Sequence, residues 1–201
     1  MIKRMLIAGM LCTAMLAQAQ DMITLSPATR TGGKPLMEAL DARKSDRNFV
    51  KKEMNPQMLS DLLWAANGFN RPDKRTAPTA RDRQEIEIYV MFDHGVYFYD
   101  AKANQLTLVN KGNFIDALGQ ANISKSAAVS LILVADSEKA VSRELTLINA
   151  GYISQNVYLY AASAGLGTVA RASFNKAPLS KALKLSSRQE VILVQPVGFL
   201  K

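Results

Sequence analysis

The chain has 201 residues, 48% of them hydrophobic and 21% charged, a formal net charge of +8 and one cysteine. This length suits a single domain with a sizeable core, and a lone cysteine excludes a disulfide framework. The positive charge is spread along the chain with no Lys/Arg block interleaved with aromatics. Nucleic acid is therefore not an expected partner, and a small anionic ligand or anionic surface fits better.

Lys3 and Arg4, the apolar run Met5 to Leu16 and the small residues of Ala17-Gln18-Ala19 have the pattern of a secretory signal cleaved after Ala19. Residues 1–19 are thus expected to be absent from an exported protein, periplasmic or secreted, which then holds no cysteine. The run is too short to span a bilayer, and no later one is long enough, so the mature chain is expected to lack a transmembrane anchor. Residues 20–33 are small and polar and read as a linker or flexible tail before a domain at 34–201.

Pro35 opens a short helix with Leu36, Met37, Ala39 and Leu40 as its apolar side. Asn55 and Pro56 are an N-cap and first-turn pair, and Gly68 ends the helix that follows. Residues 70–84 form a long, charged loop, of the kind that is either functional or disordered. Glu85 to Phe92 alternates as a strand, Asp93-His94-Gly95 turns, Val96 to Tyr99 returns, and Leu106 to Val109 is a third strand. A short helix at Phe114 to Leu118 precedes the apolar run Ala127 to Ala135, a central strand. Ser137 to Ala164 is a long helix, apolar around most of its girth through Ile148, Ile153, Val157, Leu159 and Tyr160. Helix Pro178 to Leu183 and strand Val191 to Val194, ended by Pro196, complete the chain.

Three clusters could carry chemistry. In Arg43-Lys44-Ser45-Asp46-Arg47, an extended chain puts residues 43, 45 and 47 on one side, where two guanidinium forks and a hydroxyl suit a phosphate. An exposed, charged helix end has the same composition. Pro78-Thr79-Ala80, leading to Asp82 and Gln84, would let backbone approach a flat ring, as would any solvated loop feeding a strand. Gly165-Leu166-Gly167 follows a helix instead of opening one and lacks a third glycine, so it is no dinucleotide fingerprint. His94 is the only histidine and sits in a turn, which excludes a histidine metal site and a Ser/His/Asp set. Trp64 lies on an apolar helix face and reads as core.

Taken in order, Arg43 to Arg47, Leu62 to Gly68, Pro78 to Ala80 with Glu87 to Tyr89, Gly165 to Gly167 and Pro196 to Gly198 resemble the FMN-dependent nitroreductase-like family, most closely its short members that include the azoline-oxidising enzymes. The resemblance spans residues 36–199. It implies an α+β fold with a central, mostly antiparallel sheet flanked by helices, and a homodimer with FMN at the subunit interface. By position, Arg43 and Ser45 match phosphate-binding residues, with Lys44 between them, and Arg47 matches the basic residue near the ring's N1 and C2 carbonyl. Pro78, Thr79 and Ala80 fall beside the ring and ribityl chain. Asp82 stands where many members have Asn at the pyrimidine edge, and Gln84 keeps its family position. Gly165 and Gly167 form the glycine turn, and Ala172 and Ser173 fall where a backbone N–H meets flavin N5. Many members have a basic residue beyond Pro-Val-Gly, so Lys201 or Arg171 is expected to serve the phosphate here. The implied activity is two-electron ping-pong redox on a small organic acceptor such as a quinone or nitro compound. A non-catalytic flavin-binding or structural protein of this fold, and a peptide-heterocycle oxidase, are the alternatives.

Overall fold

Ile86, Ile88 and Val90 face one side of a strand while Tyr89 and Met91 face the other, and all five are buried. A strand covered on both faces must lie at the centre of a layered domain. The computed structural model describes residues 21–201, so the expected signal at 1–19 lies outside the described residues. In chain order the elements are β1 (Met22–Thr24), α1 (Leu36–Ala42), β2 (Phe49–Val50), α2 (Pro56–Asn67), β3 (Ile86–Phe92), β4 (Gly95–Asp100), β5 (Gln105–Lys111), α3 (Ala121–Ser126), β6 (Val129–Asp136), α4 (Arg143–Ser163), β7 (Leu166–Thr168), α5 (Lys176–Ala182) and β8 (Gln189–Leu200). Turns of 3-10 helix occupy Ala80–Asp82 and Ile115–Leu118.

The strands form one sheet in the order β1-β5-β4-β3-β6-β8-β2, with β7 also on β8, and every pairing is antiparallel. Helices α2 and α4 cover one face, where Leu62, Leu63, Ile153 and Val157 meet Ile88, Val90, Leu131 and Leu133. Helix α5 and the turn at Ile115–Leu118 cover the other, where Leu179 and Leu183 meet Tyr89, Met91, Ile132 and Val134. The α+β architecture read from the sequence is the one observed.

Local signals placed α2 correctly. The Asn55 side chain accepts from the Met58 N–H at 2.8 Å, a cap worth about 1 kcal/mol. Gly68 ends the helix for a different reason than expected. Its backbone is extended (φ −73°), and a Cβ there would lie 2.5 Å from Trp64 Cδ1, so close approach rather than a left-handed turn requires glycine.

Four expectations are corrected. Residues 20–33 are not all linker. Met22–Thr24 adds to the sheet edge beside β5, and Leu25 is buried with its N–H bonded to Asn104 O. The strand at 191–194 does not end at Pro196 but runs to Leu200. Residues 194 and 196 present their backbone groups to the same side by the strand's period of two. At 194 these groups pair with Arg171, so proline's missing donor faces the short β7 side, where the Thr168 hydroxyl donates to Pro196 O at 2.8 Å. The long helix starts at Arg143, not Ser137, because the Ser142 hydroxyl caps it by accepting from Leu145 N–H. Finally, Ile153 and Val157 face this chain's own core. The apolar residues that α4 turns outward are Leu147, Ile148 and Tyr152, and Leu36, Met37 and Leu40 of α1 are also exposed.

Candidate functional site

Helix α1 stops at Ala42, and Arg43 is already extended (φ −64°, ψ 122°). The following residues lie against β7, with Asp46 N–H donating to Thr168 O at 2.9 Å. Glycine at 167 permits this approach, because a Cβ there would meet Asp46 Cβ at 2.9 Å and Leu200 Cδ2 at 2.4 Å. The extended geometry splits the segment by its period of two. Lys44 and Asp46 pair with each other at 3.5 Å, so Lys44 is drawn away from Arg43 and Ser45.

Arg43 and Ser45 meet at a residue that the sequence did not single out. The Arg43 guanidinium lies over the Tyr158 ring, 5.4 Å from its centroid, and Ser45 Oγ is 2.9 Å from the Tyr158 hydroxyl. The same hydroxyl accepts from Ala170 N–H at 2.9 Å. Tyr158 therefore ties α4 to both the 43–47 segment and the segment leading to Ala172 and Ser173. Only a pattern of long-range pairing could have exposed it, since on its helix it reads as one more aromatic.

Gly165 takes the left-handed conformation (φ +70°) that turns α4 into β7. Beyond β7, Arg171 pairs its backbone with Val194 and buries its side chain. Its guanidinium donates to Gly119 O at 2.9 Å, Leu118 O at 3.2 Å and Ser124 Oγ at 3.1 Å. Arg171 is thus a clamp between the sheet and α3 and does not project as a phosphate hand. Its Nε has no partner among the described residues. Burial first, and the charge of Arg47 second, push its pKa below the ordinary arginine value. Ala172 and Ser173 are exposed, with Gln120 donating to the Ser173 hydroxyl at 3.2 Å. Lys201 is exposed, and because Leu200 pairs with Phe49 the chain end lies beside residues 47–48.

The loop of residues 74–84 is closed by its own polar groups. Gln84 accepts from Arg75 Nε at 3.0 Å and donates to Asp73 O at 2.7 Å and Asp82 Oδ1 at 3.1 Å, while its backbone N–H donates to the Thr79 hydroxyl at 3.1 Å. Lys74 binds the other Asp82 oxygen, and this bond, followed by the Gln84 amide, holds the exposed Asp82 carboxyl below its usual range. The Asp82 charge is thus offset locally by Lys74. Arg81, Asp82 and Gln84 all have left-handed backbone (φ 53°, 56° and 49°), a conformation that costs a non-glycine residue roughly 1–2 kcal/mol. These bonds hold it in place. Pro78 is exposed, and Thr79 and Ala80 are half-buried.

The two groups of residues do not meet within one chain. Asn149, Asn156 and Tyr160 share one flank of α4, since 3.6 residues make a turn. That flank holds the loop: Asn149 binds Glu85, and Thr76 lines a cleft of about 480 Å³ with Trp64, Asn156 and Tyr160. Tyr158, which holds Arg43 and Ser45, is on the opposite flank. The apolar surface of Ile148 and Tyr152 lies between them.

A second cavity of about 490 Å³, lined by Ile23, Leu25, Met54, Leu59, Phe92 and His94 among others, contains none of the cofactor-binding residues expected from the sequence. His94 is exposed in its turn and stacked on Phe92, as expected of a surface histidine. Among the described residues no cluster of His, Cys, Asp and Glu could hold a metal ion, and no helix is long and apolar enough to cross a membrane.

The profile of the nitroreductase family matches residues 40–199. A protein of Methanocaldococcus jannaschii named as a nitroreductase is 29% identical over 81% of this chain and 90% of its own length. A Ralstonia eutropha structure assigned to the same group is 33% identical with a TM-score of 0.81, covering 90% of each chain. An FMN-dependent nitroreductase from Clostridium difficile shares the fold at a TM-score of 0.60 and 18% identity, covering 82% of this chain and 87% of its own.

Proposed function

The chain belongs to the nitroreductase family of oxidoreductases, and from that premise we propose that it binds FMN in a homodimer and passes electrons to a small organic acceptor such as a quinone or nitro compound. The observation that carries this reading is the division of the candidate residues between two flanks of α4, with an exposed apolar face between them. Such a site is incomplete in one copy, and a second copy laid on that face would supply the missing flank.

The residues present fit the cofactor. Among the described residues neither Arg43 nor Arg47 has an acidic partner, and Ser45 bonds only Tyr158. Cationic and hydroxyl donors grouped without a carboxylate suit a phosphate monoester. When bound, FMN supplies the two-electron redox chemistry. Arg43 and Ser45 would hold its phosphate, and Arg47 would place positive charge against the ring. Ala172 and Ser173 would offer backbone N–H groups at the ring edge. The Pro78–Gln84 loop, supported by Arg75 and Lys74, would bound the ring from the other flank.

Export is part of the proposal and rests on residues 1–19. An exported enzyme meets little nicotinamide donor, so a quinol or a partner reductase would supply the electrons. The test is the visible spectrum of the purified mature protein, then bleaching by a reductant and recovery on adding a quinone or nitroaromatic. A colourless protein that takes up no FMN would overturn the reading.

A further inference from the structure

We infer that Tyr158 is a positioning residue that orients Ser45 as a hydrogen-bond donor, and so favours a ligand whose tail ends in an acceptor-only, phosphate-like group. The inference rests on the flavin reading above and deepens it. Ala170 N–H can only donate, and it donates to the Tyr158 oxygen at 2.9 Å. The hydroxyl hydrogen of Tyr158 then points elsewhere, and its other partner is Ser45 Oγ at 2.9 Å. The arrangement that uses both hydroxyl hydrogens has Tyr158 donating to Ser45 Oγ and leaves the Ser45 hydrogen to be given outward. The chain of donors runs from the backbone at 170 through Tyr158 to Ser45, with each bond strengthening the next.

Two further features hold the chain in place. The Arg43 guanidinium over the Tyr158 ring fixes the ring and sets a positive charge beside the Ser45 hydroxyl. Asp46 N–H on Thr168 O anchors the backbone one residue beyond Ser45. An exposed serine alone rotates freely and serves donor and acceptor ligands alike. Here one of the two Ser45 lone pairs is already engaged and the Ser45 hydrogen is directed outward. FMN ends in a phosphate that only accepts; riboflavin ends in a hydroxyl that gains less from a fixed donor.

The experiment titrates flavin-free protein with FMN and with riboflavin, following flavin fluorescence, for wild type, Tyr158→Phe, Ser45→Ala and the double variant. Tyr158→Phe keeps the ring and removes one oxygen, so the fold is retained. The expected result is a loss of FMN affinity of about tenfold with riboflavin changed less than about twofold. The double variant should lose no more than Ser45→Ala. Equal losses for both flavins would show a merely structural hydroxyl and overturn the inference, as would an unchanged FMN affinity or additive losses. Wild-type protein that binds neither flavin would overturn the flavin reading itself, and this inference with it.

Discussion

Asn149 on α4 donates to Glu85 Oε1 at 2.6 Å, and both side chains are buried. The bond ties the long helix to the start of β3, where Glu85 O also accepts from Asp136 N–H. Glu85 Oε2 has no partner among the described residues, so Asn149 is the side-chain donor this carboxyl has. Asn149→Ala should lower stability by about 2 kcal/mol, because a buried polar group would lose its bond with no water to replace it. Urea unfolding with an unchanged slope should show this as a lower midpoint. An unchanged midpoint would mean the bond contributes nothing.

Removing the Arg43 guanidinium should weaken FMN without unfolding the chain. The side chain is half-buried against Tyr158 and has no acidic partner among the described residues. Arg43→Ala should cost about 1.5–3 kcal/mol of binding, or about tenfold to a hundredfold in affinity. Fluorescence titration with FMN measures it, and wild-type affinity in the variant would place the phosphate elsewhere.

The outward face of α4 gives a sharper test of the dimer than its core face. Ile148→Glu and Tyr152→Glu place charge on exposed positions, so each should leave a folded monomer that has lost its flavin. Val157→Glu instead buries a charge in the core and should unfold the chain. Light scattering with flavin absorbance separates the cases. A wild-type monomer holding FMN tightly would break the link between this face and the site.

The Lys74–Asp82 pair sets a pH window for the loop. The folded Asp82 pKa lies below 3.8, so its contribution is present above 3.8 and is lost as pH falls through the folded value. The folded Lys74 pKa lies above 10.5, so its contribution is present below 10.5 and is lost as pH rises through the folded value. The stability difference between wild type and Lys74→Met should be constant between these limits and shrink beyond either. A difference that varies across neutral pH would show that another group governs the loop.

The protein recovered from an export-competent host should begin at Gln20 or very near it, given the charged start, apolar run and Ala17-Gln18-Ala19. Intact mass measures this directly. A soluble cytoplasmic form keeping Met1 would contradict it.

Much of this fold was legible because its signals are local. Alternation marked β3 and the hairpin to β4, an Asn-Pro pair marked α2, and a continuous apolar run marked β6. What escaped depends on contacts distant in sequence. Met22–Thr24 becomes a strand only because β5 offers it an edge, and Phe49–Val50 only because β8 passes beside it. Pro196 ends a strand by local rule but is tolerated where its missing N–H faces β7. Motifs in order singled out the 43–47 and 165–173 segments, which the fold brings together. They could not show that Arg171 turns inward to Leu118 and Gly119, or that Tyr158 joins the two segments, because both follow from side-chain direction in the folded molecule.

Strand β8 is the last element of the chain, yet it pairs with β6, β7 and β2. During synthesis the middle of the sheet must therefore wait for its C-terminal partner. Until residues 189–200 emerge, β6 offers an unpaired, wholly apolar-flanked border, the kind of surface that recruits other chains. Folding is thus dominated by pairing distant in sequence, which makes it slow relative to helix formation. Removing residues 197–200 would strip β2 and β7 of their neighbour, so these few residues hold two separate parts of the sheet edge in place.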